Sequence, residues 1–155
     1  MAEYHYPTKE EIRVGWEGEI NWNLGYEDTY TPITILYPDA EARDGWNCNI
    51  DDVLSLAIWD RCAEIRCPFL SEEQIVAEGW TKYLKNGFYR EHPRVVKRDG
   101  EYFLDDMLVV SGHYDLSYRP YDKQLFIYNL DGERLFCGKC PDINTFRTIC
   151  KLVGV

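Results

Sequence analysis

The residues singled out as able to make or break bonds are few: six cysteines, three histidines and two Asp-Asp pairs. Cys137-Gly138-Lys139-Cys140 forms a C-x-x-C, and Cys62 and Cys67 form a second pair. Two such pairs would supply the four ligands of a structural zinc. However, Cys62 and Cys67 are spaced C-x4-C, and some seventy residues separate Cys67 from Cys137. Cys137 ends a strand-like run and Cys140 begins a helix, places that suit a small buried hydrophobe. Cys62, Cys67, Cys137 and Cys140 are therefore candidate ligands with no metal expected. A redox role for the C-x-x-C lacks the βαβ context. Asp51-Asp52 and Asp105-Asp106 are neighbours in sequence, and neighbours on a strand point apart, so neither is an acid/base dyad by adjacency. The stretch Asp44–Asp51 is rich in oxygen ligands but misses the glycine and the closing glutamate of a calcium loop. Among His5, His92 and His113, only His113 has a nearby serine, Ser111, and no nucleophile elbow surrounds it. No glycine loop is followed by the Lys-Ser/Thr that holds phosphates. The expectation is a protein that is not an enzyme and needs no cofactor.

What remains is charge and rings. The net charge is −10, unevenly spread. Residues 1–79 carry 17 acidic and 5 basic side chains, a net of −12, and residues 80–155 carry 10 and 12, a net of +2. An acidic front repels phosphate backbones, which argues against direct nucleic acid binding, and it attracts a basic surface on a partner. Aromatics make up 15% of the chain, more than a small core hides, and exposed Tyr and Trp are typical of protein interfaces. Trp16, Glu17, Glu19, Trp22, Tyr26, Tyr30 and Trp46 are the candidate binding residues.

The elements that must hold these groups are legible in part. Ser71-Glu72-Glu73-Gln74 is a capping box, with Leu70 and Ile75 as its hydrophobic staple. Gly79 then offers a left-handed ending and Trp80 a cap that folds back. Before this helix, Glu11–Gly15 and Glu19–Asn23 read as short strands, Pro32–Tyr37 as another, 39–49 as a loop, and 50–58 as a helix. Residues 1–10 read as a loose arm. After Trp80, turn dipeptides such as Asn86-Gly87, Asp99-Gly100 and Asp131-Gly132 separate eight strand-like runs between Trp80 and Cys137. Ile143, Phe146, Ile149, Cys150 and Val153 then make one apolar helical stripe, with Asp142 or Cys140 as cap. The predicted class is α+β: an antiparallel meander packed against a C-terminal helix, preceded by a smaller acidic β-rich lobe, with short connecting helices. The predicted division is 1–68 and 69–155, or one continuous domain.

Phe69-Leu70-Ser71-Glu72-Glu73-Gln74-Ile75 followed by Gly79-Trp80 resembles the entry motif of small accessory proteins of tailed phages and prophages. Glu11-Ile12-Arg13-Val14-Gly15 looks like their start. The hairpin Leu125–Tyr128 and Leu135–Gly138, with the ending Leu152-Val153-Gly154-Val155, is similar to their close. Cys137 often has another residue type at its place there, which further lowers the zinc expectation. The resemblance implies a genomic setting and carries over no catalytic residue. The function expected is protein–protein binding, directed at a host nucleic-acid-handling or defence protein with a basic surface. The alternatives are a minor virion or capsid-associated component, and a nucleotide-, sugar- or zinc-binding domain. No signal peptide pattern opens the chain and no apolar run matches a membrane span, so the expected place is a cytoplasm, with no membrane partner. Nothing in the sequence sets the oligomeric state.

Overall fold

The computed structural model describes residues 4–22, 25–26, 28–36, 47–54 and 63–155. It is α+β, with mostly antiparallel sheets and a C-terminal helix, and it divides into two compact units, Met1–Phe69 and Leu70–Val155.

The first unit is a five-stranded sheet. Its strands are β1 (Tyr4–His5), β2 (Glu17–Asn21), β3 (Thr31–Leu36), β4 (Asn47–Asn49) and β5 (Glu64–Pro68), in the order β1-β5-β2-β3-β4. A short helix, α1 (Ile50–Val53), follows β4, and residues 55–58 of the expected helix lie outside the described residues. Alternation places Ile20, Ile33, Ile35, Ile65 and Cys67 inside, joined by Ile12, Trp16 and Val53. Three expectations change. Glu11–Gly15 is not a strand but a turn that delivers Ile12 and Trp16 to the core. The arm is not loose at Tyr4–His5, because these residues pair with Pro68 and Cys67 on the edge of β5. Asn47–Asn49 is not loop, since it runs parallel to Thr34–Leu36. The last two corrections involve pairing with residues distant in sequence, which local propensity does not encode. A Cβ on Gly18 would lie 2.1 Å from Trp16 Cη2, so only glycine lets the indole lie across β2.

The second unit opens with α2 (Glu72–Ala77). Ser71 Oγ accepts the Gln74 N–H at 3.2 Å and Gln74 Oε1 accepts the Ser71 N–H at 3.0 Å, so both halves of the capping box form. Gly79, at φ +94°, ends the helix, and the Trp80 N–H reaches back to the Ile75 carbonyl at 3.4 Å. Eight strands follow: β6 (Thr81–Leu84), β7 (Gly87–Glu91), β8 (Val95–Arg98), β9 (Glu101–Leu104), β10 (Met107–Val109), β11 (His113–Arg119), β12 (Gln124–Tyr128) and β13 (Arg134–Lys139). They form not one meander but two sheets. Five strands run in the order β13-β12-β11-β7-β6, and β8, β9 and β10 form a separate three-stranded sheet. β7 leaves the main sheet at Glu91, the chain makes the three-stranded excursion, and β11 returns at His113 directly opposite Glu91.

One face of the five-stranded sheet supplies Phe88, Leu116, Tyr118, Leu125 and Ile127 to the core. The last helix, α3 (Ile143–Val153), adds Ile143, Phe146, Ile149 and Cys150, and Ile75 and Trp80 complete it. Asp142 caps α3 by accepting the Thr145 N–H at 2.8 Å, and Gly154 closes it in the left-handed conformation. The Leu70 N–H donates to the Pro141 carbonyl at 2.8 Å, tying the entries of the two helices. Among the described residues, no helix is long and apolar enough to cross a membrane.

Candidate functional site

Several of the acidic-lobe residues expected to face a partner are used inside the first unit. The Arg66 guanidinium lies 3.7 Å from the Tyr4 ring centre and 3.4 Å from that of Tyr30, and its Nε donates to Glu19 Oε2 at 2.8 Å. A cation held between two rings is attracted by both quadrupoles. The Tyr30 hydroxyl donates to Glu64, and this bond, with burial and the nearby carboxylate charge, pushes the phenol up to about 12. Burial would lower the Arg66 pKa, but the bond and charge of Glu19 outweigh it and raise it. Trp16 requires a correction. It is 2% exposed, sealed over Gly18, and forms core rather than an anchor. Glu17 is exposed on β2, Trp22 is 36% exposed and Tyr26 is 93% exposed. Trp46 lies outside the described residues. The outward-facing remainder is thus Glu17, Trp22 and Tyr26.

Within the second unit, Cys137, Cys140 and Cys150 belong to no metal-holding group among the described residues. Cys62 lies outside the described residues. Cys67 is buried in the first unit, its Sγ 3.4 Å from the Glu17 carbonyl oxygen. Cys137 is exposed on β13, whereas Cys140 is fully buried, and burial, reinforced by Asp142, raises its thiol pKa well above the ordinary range. Burial likewise pushes Cys150 up to about 11. Thiolate is the metal-binding form, so Cys140 is poorly placed to ligate. Asp105 and Asp106 both have positive φ and form the β9–β10 turn rather than an acid pair.

The structure does bring two histidines together. His92 and His113, twenty-one residues apart, border a cleft of about 310 Å³ with Glu91, Lys97 and Tyr102. The β7–β11 pairing and the excursion between them create it. His92 Nδ1 accepts the Arg94 N–H at 3.1 Å, so in neutral imidazole the proton sits on Nε2. The His113 ring meets Tyr89 edge-on at 5.3 Å, and its Nε2 is 3.4 Å from Asp115 Oδ1. Ser111 donates its hydroxyl proton to the His113 carbonyl at 2.8 Å rather than to the imidazole, so it is not activated as a nucleophile. No sequence pattern joined His92 to His113; the only signal was the spacing of turn dipeptides between them.

The most unusual surface belongs to the three-stranded sheet. Its register aligns Val96, Phe103 and Leu108 in one row across all three strands. A solvent-facing row on an antiparallel sheet is normally polar. Here Val96 is 52% exposed and Leu108 61%, with Phe103 half-buried between them, and Val110 just beyond β10 is 72% exposed. Met107, pointing the other way, is 73% exposed. Beside Leu108 and Val110 runs a groove of about 330 Å³ bordered by Gly100, Glu101, Tyr102 and Asp131. Ion pairs ring the patch: Arg98 with Asp106 at 2.9 Å and Arg94 with Asp105 at 3.2 Å, the Arg98 guanidinium standing 4.7 Å from the Phe103 ring. At one edge, β8 carries Lys97 and Arg98, charges that discourage strand pairing. The other edge, β10, is Met107-Leu108-Val109 and carries none. An apolar centre with a charged rim is the anatomy of a protein interface. Comparison of the chain with known protein families, characterised proteins and solved structures finds no match.

Proposed function

We propose that this chain works by binding a partner protein, and that the solvent-facing row Val96, Phe103 and Leu108, extended by Val110, is the contact. The observation that carries the reading is the register itself, which stacks these apolar side chains on the open side of a sheet. Contiguous exposed apolar surface with a polar rim marks interaction sites. The first unit adds charge: residues 1–69 hold 14 acidic and 5 basic side chains, a net of −9. Such a field speeds association with a basic partner and makes it salt-dependent. The capping and hairpin motifs support a phage or prophage accessory protein, and the charge supports a host protein with a basic surface as target.

The test is capture from host lysate with the wild type, with Leu108→Glu and Val96→Glu, and with Glu17→Lys. The expected result is one stoichiometric partner, lost with the first two variants and bound more slowly by the third. Retention of the partner by both Leu108→Glu and Val96→Glu would remove this face from the interaction. Loss with Glu17→Lys alone would move the contact to the acidic lobe.

A further inference from the structure

We infer that the pocket between α2 and α3 holds a phosphate group, free or carried by a small molecule. The site is separate from the apolar face and does not depend on it. Its volume is about 300 Å³, and its walls include Glu78, Trp80, Arg90, Phe146, Arg147 and Lys151. This is the lower end of the range for small-molecule sites, roughly 300–1,000 Å³.

The hydrogen-bond inventory sets the ligand class. Glu78 is the one carboxylate side chain among these walls, and it is engaged, accepting from Arg147 Nε at 2.7 Å. Arg90 is half-buried and donates to the Glu78 carbonyl, and its guanidinium stands 5.3 Å from the Trp80 ring. Both partners are uncharged, so among the described residues this guanidinium has no carboxylate. A partly buried arginine is normally paired. Lys151, in the last turn of α3, is exposed and likewise has no ion pair among the described residues. Trp80 is 1% exposed, and its indole Nε1 is buried with no hydrogen-bond partner.

The pocket therefore offers a guanidinium and an ammonium with no carboxylate partner among the described residues, and its side-chain carboxylate is spent. An acceptor-rich anion complements it. A planar guanidinium fork fits the oxygens of phosphate, and lysine adds a point charge. Gly79 belongs to the same construction, because a Cβ there would come within 2.8 Å of Arg90 Nη2 and displace the guanidinium. The C-terminal ends of α2 and α3 also draw these cations. A role confined to those helix ends predicts no anion selectivity.

The test is thermal denaturation and the Trp80 indole N–H resonance of the full chain. Both are titrated with inorganic phosphate, glucose 6-phosphate and acetate at constant ionic strength. The expected result is a saturable rise in Tm and a moving indole signal with the two phosphates and not with acetate. Lys151→Gln should leave the ligand-free Tm within a degree or two and weaken phosphate binding about tenfold, the loss of one charge-assisted contact. Arg90→Lys, which keeps the charge and loses the fork, should weaken it as well. Tighter binding of glucose 6-phosphate assigns the site to an organic phosphate; equal binding assigns it to the free ion. Responses that do not saturate, that acetate reproduces, or that Lys151→Gln leaves intact overturn the assignment.

Discussion

Leu108 and Leu125 offer a direct comparison of an open and a closed side of the same unit. Leu108 is 61% exposed on β10, whereas Leu125 is fully buried on β12. Replacing a fully buried leucine by alanine costs about 2–5 kcal/mol, from lost transfer free energy and the cavity left behind. Leu125→Ala should fall in that range. Leu108 has withdrawn only some two-fifths of its surface from water and leaves no enclosed cavity, so Leu108→Ala should cost about 1 kcal/mol or less. The measurement is equilibrium denaturation followed by circular dichroism, compared at the midpoint, with the slope unchanged if both variants expose the same surface on unfolding. The contrast should be at least twofold in free energy. If Leu108→Ala destabilises as much as Leu125→Ala, some part of the chain covers β10. The apolar row would then be core, and the proposed contact would lose its basis.

Ser71→Ala removes the oxygen that accepts the Gln74 N–H and should cost about 1 kcal/mol of stability, whereas Ser71→Asn should cost far less; the same denaturation assay separates them. Tyr30 is raised to about 12, so its bond to Glu64 contributes stability that is complete below the ordinary phenol value of about 10 and is lost as pH rises through about 12. Phenolate absorbance during an alkaline titration should show Tyr30 among the last to ionise, with Tyr30→Phe deleting that late component; loss of an early component instead would contradict the pairing. Replacing residues 92–112 by Asn-Gly should leave the five-stranded sheet and α3 folding cooperatively, since Glu91 and His113 already face each other at hairpin distance; loss of cooperative unfolding would show that the excursion is part of the core.

The elements that the sequence made legible are those specified by short-range chemistry. Both halves of the capping box at Ser71 and Gln74 lie within one turn. Each hairpin dipeptide states its own backbone: Asn86 is at φ 62°, and Asp99 and Gly100 are at 50° and 80°. α3 carries its stripe and both its caps in consecutive residues. What was not legible is pairing over distance. β7 and β11 join across twenty-one residues, and nothing in the period-two alternation of either names its partner. Tyr4–His5 becomes a strand because β5, some sixty residues later, has an edge to offer. By side-chain type Asp105-Asp106 is two carboxylates, but adjacent aspartates also tolerate the positive φ of a tight turn, and that backbone role is the one they take.

The same distinction governs the candidate sites. The acidic lobe was read by residue type, and type does not say whether a ring or charge is spent. Arg66 takes Tyr4, Tyr30 and Glu19 together, and Trp16 fills the space above Gly18. Groups satisfied in this way have little interaction energy left for a partner, because a partner must first compete with contacts already made. The apolar row is the opposite case. Val96, Phe103 and Leu108 are good strand formers, but threonine or tyrosine would form the strand equally well and would not leave an apolar edge open to unwanted pairing. Strand propensity therefore accounts for the sheet without accounting for its open surface. The proposed partner would account for it, because covering the row recovers hydrophobic free energy the isolated fold leaves unrealised.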